Sequence, residues 1–234
     1  MNSMEKFKES HEYRGERLRD FVFGFSDGMV TTLAIISALS GAGLNNIIII
    51  FAGIANVLGD GISMALGGYI SSKSEIDVYK NAERQEKKEM EMIPDVERDE
   101  IRQIYRQKGF RGKLLEDIVK KITSNKKLWL DEMMREELGL SKNALTGNPS
   151  VVAATIFIGF LIAGFIPLIP YAFFDVQMAL AVALPLSFAT LFVMGGLRSI
   201  FTGRNWFRSG LEVLVIGMLA TSAAYFVGSL IPHY

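Results

Sequence analysis

The sequence predicts an all-α membrane protein, with five transmembrane helices and an all-helical cytoplasmic insert between spans two and three. Three observations carry that expectation. Half of the residues are hydrophobic while 21% are charged, and the two kinds are segregated along the chain instead of mixed. The apolar runs are long enough to cross a bilayer. Of the charged residues, 17 Lys and Arg and 16 Asp and Glu fall in the single stretch 71–148, as expected of a folded soluble domain and not of a polybasic tail.

Composition also excludes several classes of function. The formal net charge is zero, so no global field draws nucleic acid. Without cysteine there are no disulfides, thiolate metal sites or thiol redox chemistry. The two histidines, His11 and His233, sit near the termini and read as solvated tail residues, which argues against a histidine-based enzyme or zinc site. The first 20 residues are charged and lack an apolar core, so no cleavable signal peptide is expected.

Residues 1–20 form a mixed-charge amphipathic arm, with Arg14, Arg17 and Arg19 just before the first apolar run. By the positive-inside rule they hold the N-terminus in the cytoplasm. The first two spans occupy 21–71. Span one, about Phe21–Leu44, contains one ionisable residue, Asp27, and a Gly24/Gly28 pair. That pair would let another helix approach closely, or it is ordinary small-residue packing. The connection 41–46 has no Lys or Arg and belongs outside. Span two, about Ile47–Ser71, returns the chain to the cytoplasm and runs without a stop signal into charged sequence.

The insert, 72–148, divides into four helices. Glu75–Met92 ends at Ile93-Pro94, because the residue before proline disfavours the helical region. Asp95 is placed to cap a second helix, Val96–Gln107. A third, 113–122, puts apolar residues on one face and lysines on the other, and a fourth spans Lys126–Leu138 before Gly139. A domain this small gains from a partner copy or a bound metal. Residues 149–234 hold spans three to five. Asn148-Pro149 opens Ser150–Tyr171, which Pro167 and Pro170 bend or end. Val176–Leu197 carries Pro185, a kink candidate. Arg198, Arg204 and Arg208 mark a cytoplasmic loop, and Leu211–Ile231 leaves the C-terminus outside.

The chemistry-bearing residues form three groups. Asn56, Asp60 and Met64 are spaced i, i+4, i+8, so an amide, a carboxylate and a thioether line one face of span two. An ionisable group at that depth is costly unless it faces a partner or a water-filled path, which makes Asp60 a functional candidate. In the insert, Glu86 with Glu89 and Glu97 with Glu100 are i, i+3 pairs. The break at Pro94 lets their helices fold into a hairpin and bring four carboxylates together, a set that suits Fe²⁺, Mn²⁺, Mg²⁺, Ca²⁺ or Zn²⁺. The plainer alternative is a solvated acidic face. Met133, Met134 and Glu137 can face one way in the fourth helix, as core filler or as softer ligands beside the carboxylates.

Phe23–Thr31 (FGFSDGMVT), Ile62–Tyr69 (ISMALGGY), Lys73-Ser-Glu75, the paired glutamates, Trp129 and Met133–Gly139 (MMREELG) occur in this order along the chain. In that order they resemble the vacuolar iron transporter family, from about Glu12 to the fifth span. The resemblance implies a homodimer whose first spans line the path, moving Fe²⁺ out of the cytoplasm against protons. It implies path roles for Asp27 and Met64, and a position for Lys73 at the inner mouth. It also implies a cytoplasmic metal site of Glu86, Glu89, Glu97, Glu100, Met133, Met134 and Glu137. Two departures stand out. Asn56 replaces a family glutamate and cannot carry a proton or charge, although Asp60, one turn on, could supply the carboxylate. Thr32 replaces a proline common among relatives.

The leading expectation is therefore a secondary transporter that exports divalent iron by proton antiport, with manganese as a second cargo, and with no enzymatic activity. Co²⁺ and Zn²⁺ share the same ligand preferences. The competing expectation is a membrane-anchored metal-binding or sensing protein made inactive in transport by Asn56. A di-iron oxidase is disfavoured because the Glu-x-x-His pairs of such bundles are absent. Partners expected are the lipid bilayer, metal ions and protons, with no nucleic acid. The lack of organelle-targeting features fits a prokaryotic plasma membrane.

Overall fold

The computed structural model describes residues 3–145 and 147–231. His233 and the side chains of His11 and Arg14 lie outside the described residues. Among the described residues eight α-helices follow one another: α1 (Ser3–Gly41), α2 (Asn46–Met92), α3 (Pro94–Gln107), α4 (Gly112–Thr123), α5 (Lys126–Glu136), α6 (Pro149–Phe165), α7 (Val176–Thr202) and α8 (Trp206–Ser229). Short 3-10 segments occupy Lys142–Leu145 and Ile166–Ala172. Five helical stretches are long and apolar enough to cross a membrane: Arg17–Gly41, Asn46–Met92, Pro149–Ala172, Val176–Ile200 and Trp206–Ser229. The molecule is thus an all-α, multi-pass integral membrane protein.

The chain separates into two compact units, 1–69 with 150–234, and 70–149. In the first, α1 and α6 approach backbone to backbone. A Cβ on Gly24 would overlap the Ile156 carbonyl, one on Gly28 the Phe160 carbonyl, and one on Gly159 the Phe21 carbonyl. Only a hydrogen side chain permits that contact, which is how helices associate where water supplies no driving force. The Gly24/Gly28 pair is therefore a close-approach surface for α6 of the same chain. Around it pack Leu33, Ile36, Ile49, Val57, Phe160 and Tyr171. Ser40 and Tyr171 share a hydrogen bond of 2.7 Å, and the Asn46 amide donates to the carbonyls of Tyr171 at 3.1 Å and Phe174 at 2.5 Å. Asn46 thereby ties the start of α2 to the α6–α7 corner.

Several boundaries differ from expectation, each for a local reason. Helix α1 runs unbroken from Ser3 through the first span. No helix breaker stands between Arg19 and Phe21 to stop it. Helix α7 continues through Pro185 to Thr202 and ends at Gly203, whose φ of 64° is left-handed. Asn205 then caps α8, accepting from the backbone N–H groups of Phe207 and Arg208, so the basic loop shrinks and Arg198 and Arg208 become helical.

Candidate metal centre

In the second unit, Pro94 decides the geometry. Its ring pushes Ile93 out of the helical region, to φ −133° and ψ 50°, so α2 stops at Met92. Pro94 then opens α3, where its missing N–H costs nothing. The turn is one residue long. Asp95 does not cap α3: Ile93 holds the cap position without a side-chain bond, and Asp95 instead pairs with Arg98 at 2.8 Å. Helix α5 is capped by Asn125, which accepts from the N–H groups of Lys127 and Leu128. At its far end Gly139, with φ 65°, lets the Leu140 N–H return to the Met134 carbonyl at 2.8 Å. That turn fixes where Glu137 projects.

An apolar core of Tyr79, Met90, Ile101, Leu115, Val119, Ile122, Trp129, Leu130, Met133 and Met134 holds α2, α3, α4 and α5 together. Against it stand three carboxylates. Glu86 of α2 and Glu97 of α3 are 3% and 2% exposed, and with Glu137 each offers one oxygen within 4.8 Å of the others. Glu86 Oε1 and Glu97 Oε2 have no hydrogen-bond partner. Buried oxygens of this kind are costly when left bare.

Electrostatics follow from that crowding. Burial, with Glu97, Glu137 and Glu89 close by, pushes the Glu86 carboxyl up to about 8. Burial and the charges of Glu100, Glu97 and Glu89 push Glu137 up to about 7. Glu97 is raised as well, chiefly by burial. Near neutrality the cluster retains protons that a divalent cation would displace.

Of the expected ligands, the structure brings Glu86, Glu97 and Glu137 together. Glu89 and Glu100 stand half-buried at the margin, adding negative charge, and Glu89 also accepts from the Gln85 amide at 3.1 Å. Met133 and Met134 are sealed in the apolar core, 0% and 1% exposed. Sequence reading missed a neighbouring polar group, Tyr105–Glu132–Arg135. Glu132 is 5% exposed, and its position three residues after Trp129, on the buried side of α5, was the available signal.

In the first unit, Asn56, Asp60 and Met64 do share one helix, α2. Asp60 is exposed in the protomer, Asn56 and Met64 are half-buried, and the Asn56 amide nitrogen has no partner. Asp27 on α1 is half-buried and within electrostatic reach of Asp60. Lys73 is exposed on the part of α2 that belongs to the second unit.

Known proteins resemble this chain along nearly its whole length. The model of the VIT family matches residues 18–229. "Vacuolar iron transporter" of Centaurea cyanus is 38% identical over 226 residues, covering 95% of this chain and 91% of the relative. "Vacuolar iron transporter 1" of Arabidopsis thaliana is 36% identical over 230 residues, covering 96% and 90%. "Vacuolar iron transporter" of Plasmodium falciparum is 30% identical over 236 residues, covering 97% and 86%. On a match that runs through both units, the chain belongs to the VIT family, the vacuolar iron transporters.

Proposed function

We propose that this protein is a divalent-iron transporter that collects its cargo at Glu86, Glu97 and Glu137 and exports it from the cytoplasm in exchange for protons. The observation that carries the reading is the convergence of carboxylates from α2, α3 and the C-terminal end of α5, two of them buried with bare oxygens. Glu89 and Glu100 attract the cation to the cluster, and Met133 or Met134 supplies a thioether if the core opens on binding. Such a mixed set favours Fe²⁺ over harder cations and also admits Mn²⁺. The cargo then passes Met64, Asp60, Asn56 and Asp27, with Lys73 at the inner mouth. In a homodimer, the Asp60 face of α2 that is exposed in the protomer would line a shared path. Carboxylates there exchange protons for metal, which is the physical basis of antiport.

Orientation rests on basic residues: the N-terminus and the 70–149 unit are cytoplasmic and the C-terminus is outside. The protein resides in a prokaryotic plasma membrane, although the relatives are named for the vacuole; membrane fractionation tests this. The transport reading is tested in proteoliposomes with an internal pH reporter. Saturable Fe²⁺ movement accompanied by proton counterflow is expected. Metal movement with no change in proton flux would remove antiport.

A second reading is favoured by one observation. The Asn56 amide nitrogen is buried without a partner, and the family resemblance implies a glutamate at this place, so on that reading the path lacks one carboxylate. A membrane-anchored metal-binding protein would then bind Mn²⁺ tightly and carry none across, an outcome the same proteoliposomes distinguish.

A further inference from the structure

Beside the metal centre lies a polar group that holds no bare oxygen. The Tyr105 hydroxyl of α3 donates to Glu132 Oε1 of α5 at 2.6 Å. The Arg135 guanidinium donates to both Glu132 oxygens, at 2.9 and 2.8 Å. Lys108, at the end of α3, pairs with Glu136 at 2.5 Å and lies 4.8 Å from the centroid of the Tyr105 ring. Glu132 is as buried as Glu86 and Glu97 are, yet each of its oxygens is occupied. Its charge is already met by the Arg135 guanidinium and the Tyr105 hydroxyl, which sets it apart from Glu86 and Glu97 with their bare oxygens.

Its location gives it another role. On α3, Glu97, Ile101 and Tyr105 are spaced i, i+4, i+8 and share one face. The face that presents Glu97 to the cluster therefore also presents Tyr105 to Glu132. Glu137 lies just beyond the last turn of α5, so a shift of α5 along α3 carries Glu137 away from Glu97. Arg135 lies on α5 with Glu132 and its side chain is 64% exposed, so within this group α3 and α5 are joined by the Tyr105–Glu132 hydrogen bond and the Lys108–Glu136 pair. We propose that the Tyr105–Glu132 hydrogen bond, held by Arg135, is the brace that sets α5 against α3 and so positions Glu137 opposite Glu97. Tyr105 and Glu132 are positioning residues for cation binding. This inference rests on the metal-centre reading above.

The test is Mn²⁺ affinity of the full chain in detergent, read from the free-ion paramagnetic resonance signal, with thermal melting in parallel. Tyr105→Phe and Glu132→Ala are expected to weaken binding by up to about tenfold, the lower end of what losing a ligand's direct hydrogen-bond partner costs, because the brace acts on Glu137 through α5. Glu132→Gln, which keeps an acceptor for the tyrosine hydroxyl, loses less than Glu132→Ala. Val119→Ala opens a cavity in the same core away from the brace, so it lowers the melting temperature while leaving Mn²⁺ affinity unchanged. Unchanged affinity in Tyr105→Phe overturns the brace alone, as does an equal loss in Val119→Ala. Absence of Mn²⁺ binding by the unaltered protein overturns the metal-centre reading, and the brace with it.

Discussion

At the scale of single residues, three buried glutamates behave in two ways, and hydrogen bonding separates them. Glu132 is fully partnered by Tyr105 and Arg135, whereas Glu86 and Glu97 each keep a bare oxygen. Replacing Glu86 by Gln should weaken Mn²⁺ binding by at least about tenfold in calorimetry, since a direct ligand cannot matter less than its supports. The pH dependence follows from burial. Glu86 is raised to about 8 and Glu137 to about 7, against an ordinary 4.5. The folded, metal-free unit holds protons that the unfolded chain has released, so this contribution to stability is complete at low pH and disappears as pH rises through 7 and 8. Between about pH 6 and 8.5, where exposed carboxylates are already ionised, the melting temperature of the metal-free protein should fall. Added Mn²⁺ should raise it most at the alkaline end. A melting temperature that climbs with pH over that window would contradict the cluster's electrostatics. The i, i+3 glutamate pairs were legible in sequence, but their unequal burial was not. Spacing gives a residue's face on its own helix, while exposure depends on which neighbour covers it, and Glu89 and Glu100 differ from Glu86 and Glu97 only in that cover.

At the scale of elements, one proline and a few glycines determine how the helices meet. The stop at Ile93-Pro94 could be read directly, because the restriction is local and steric. Pro94→Ala should lengthen α2 past Met92, separate Glu86 from Glu97 and weaken Mn²⁺ binding while raising helical circular dichroism. Unaltered affinity would show that the one-residue turn is dispensable. Gly28→Leu would force α1 off the Phe160 backbone and should cost about 1–3 kcal/mol, as overpacking does, read as a lower melting temperature in detergent. The Gly24/Gly28 spacing announced a close approach, but which helix fills it is a tertiary matter that spacing cannot encode. The same limit explains Asn46. It read as a turn residue, and its bonds to Tyr171 and Phe174 lie 125 and more positions away. The continuity of α1 across the edge of the first span has a local cause: a helix crosses a change from polar to apolar sequence freely when no breaker stands there.

At the scale of the whole molecule, hydropathy and charge segregation were enough for the fold class, since five long apolar helices and one charged insert leave few alternatives. Of the proposed path residues, Asp27 and Asp60 stood out in sequence as ionisable positions at membrane depth. Asp27 and Asp60 are near enough to interact, and on the proposed antiport reading, with Asn56 uncharged, they are the carboxylates that exchange protons. Asp60→Asn should therefore abolish proton-linked Fe²⁺ movement while leaving Mn²⁺ binding at the 70–149 unit intact, and undiminished movement would remove Asp60 from the path. The central claim joins the two units in function: the carboxylate cluster loads the transporter. The most direct measurement is Fe²⁺ uptake into proteoliposomes by the unaltered protein and by Glu86→Gln with Glu97→Gln, at matched protein content and under an imposed pH gradient. Saturable uptake that falls at least about tenfold in the variant, in step with its lost affinity, is the expected result. Equal uptake by both proteins would contradict it.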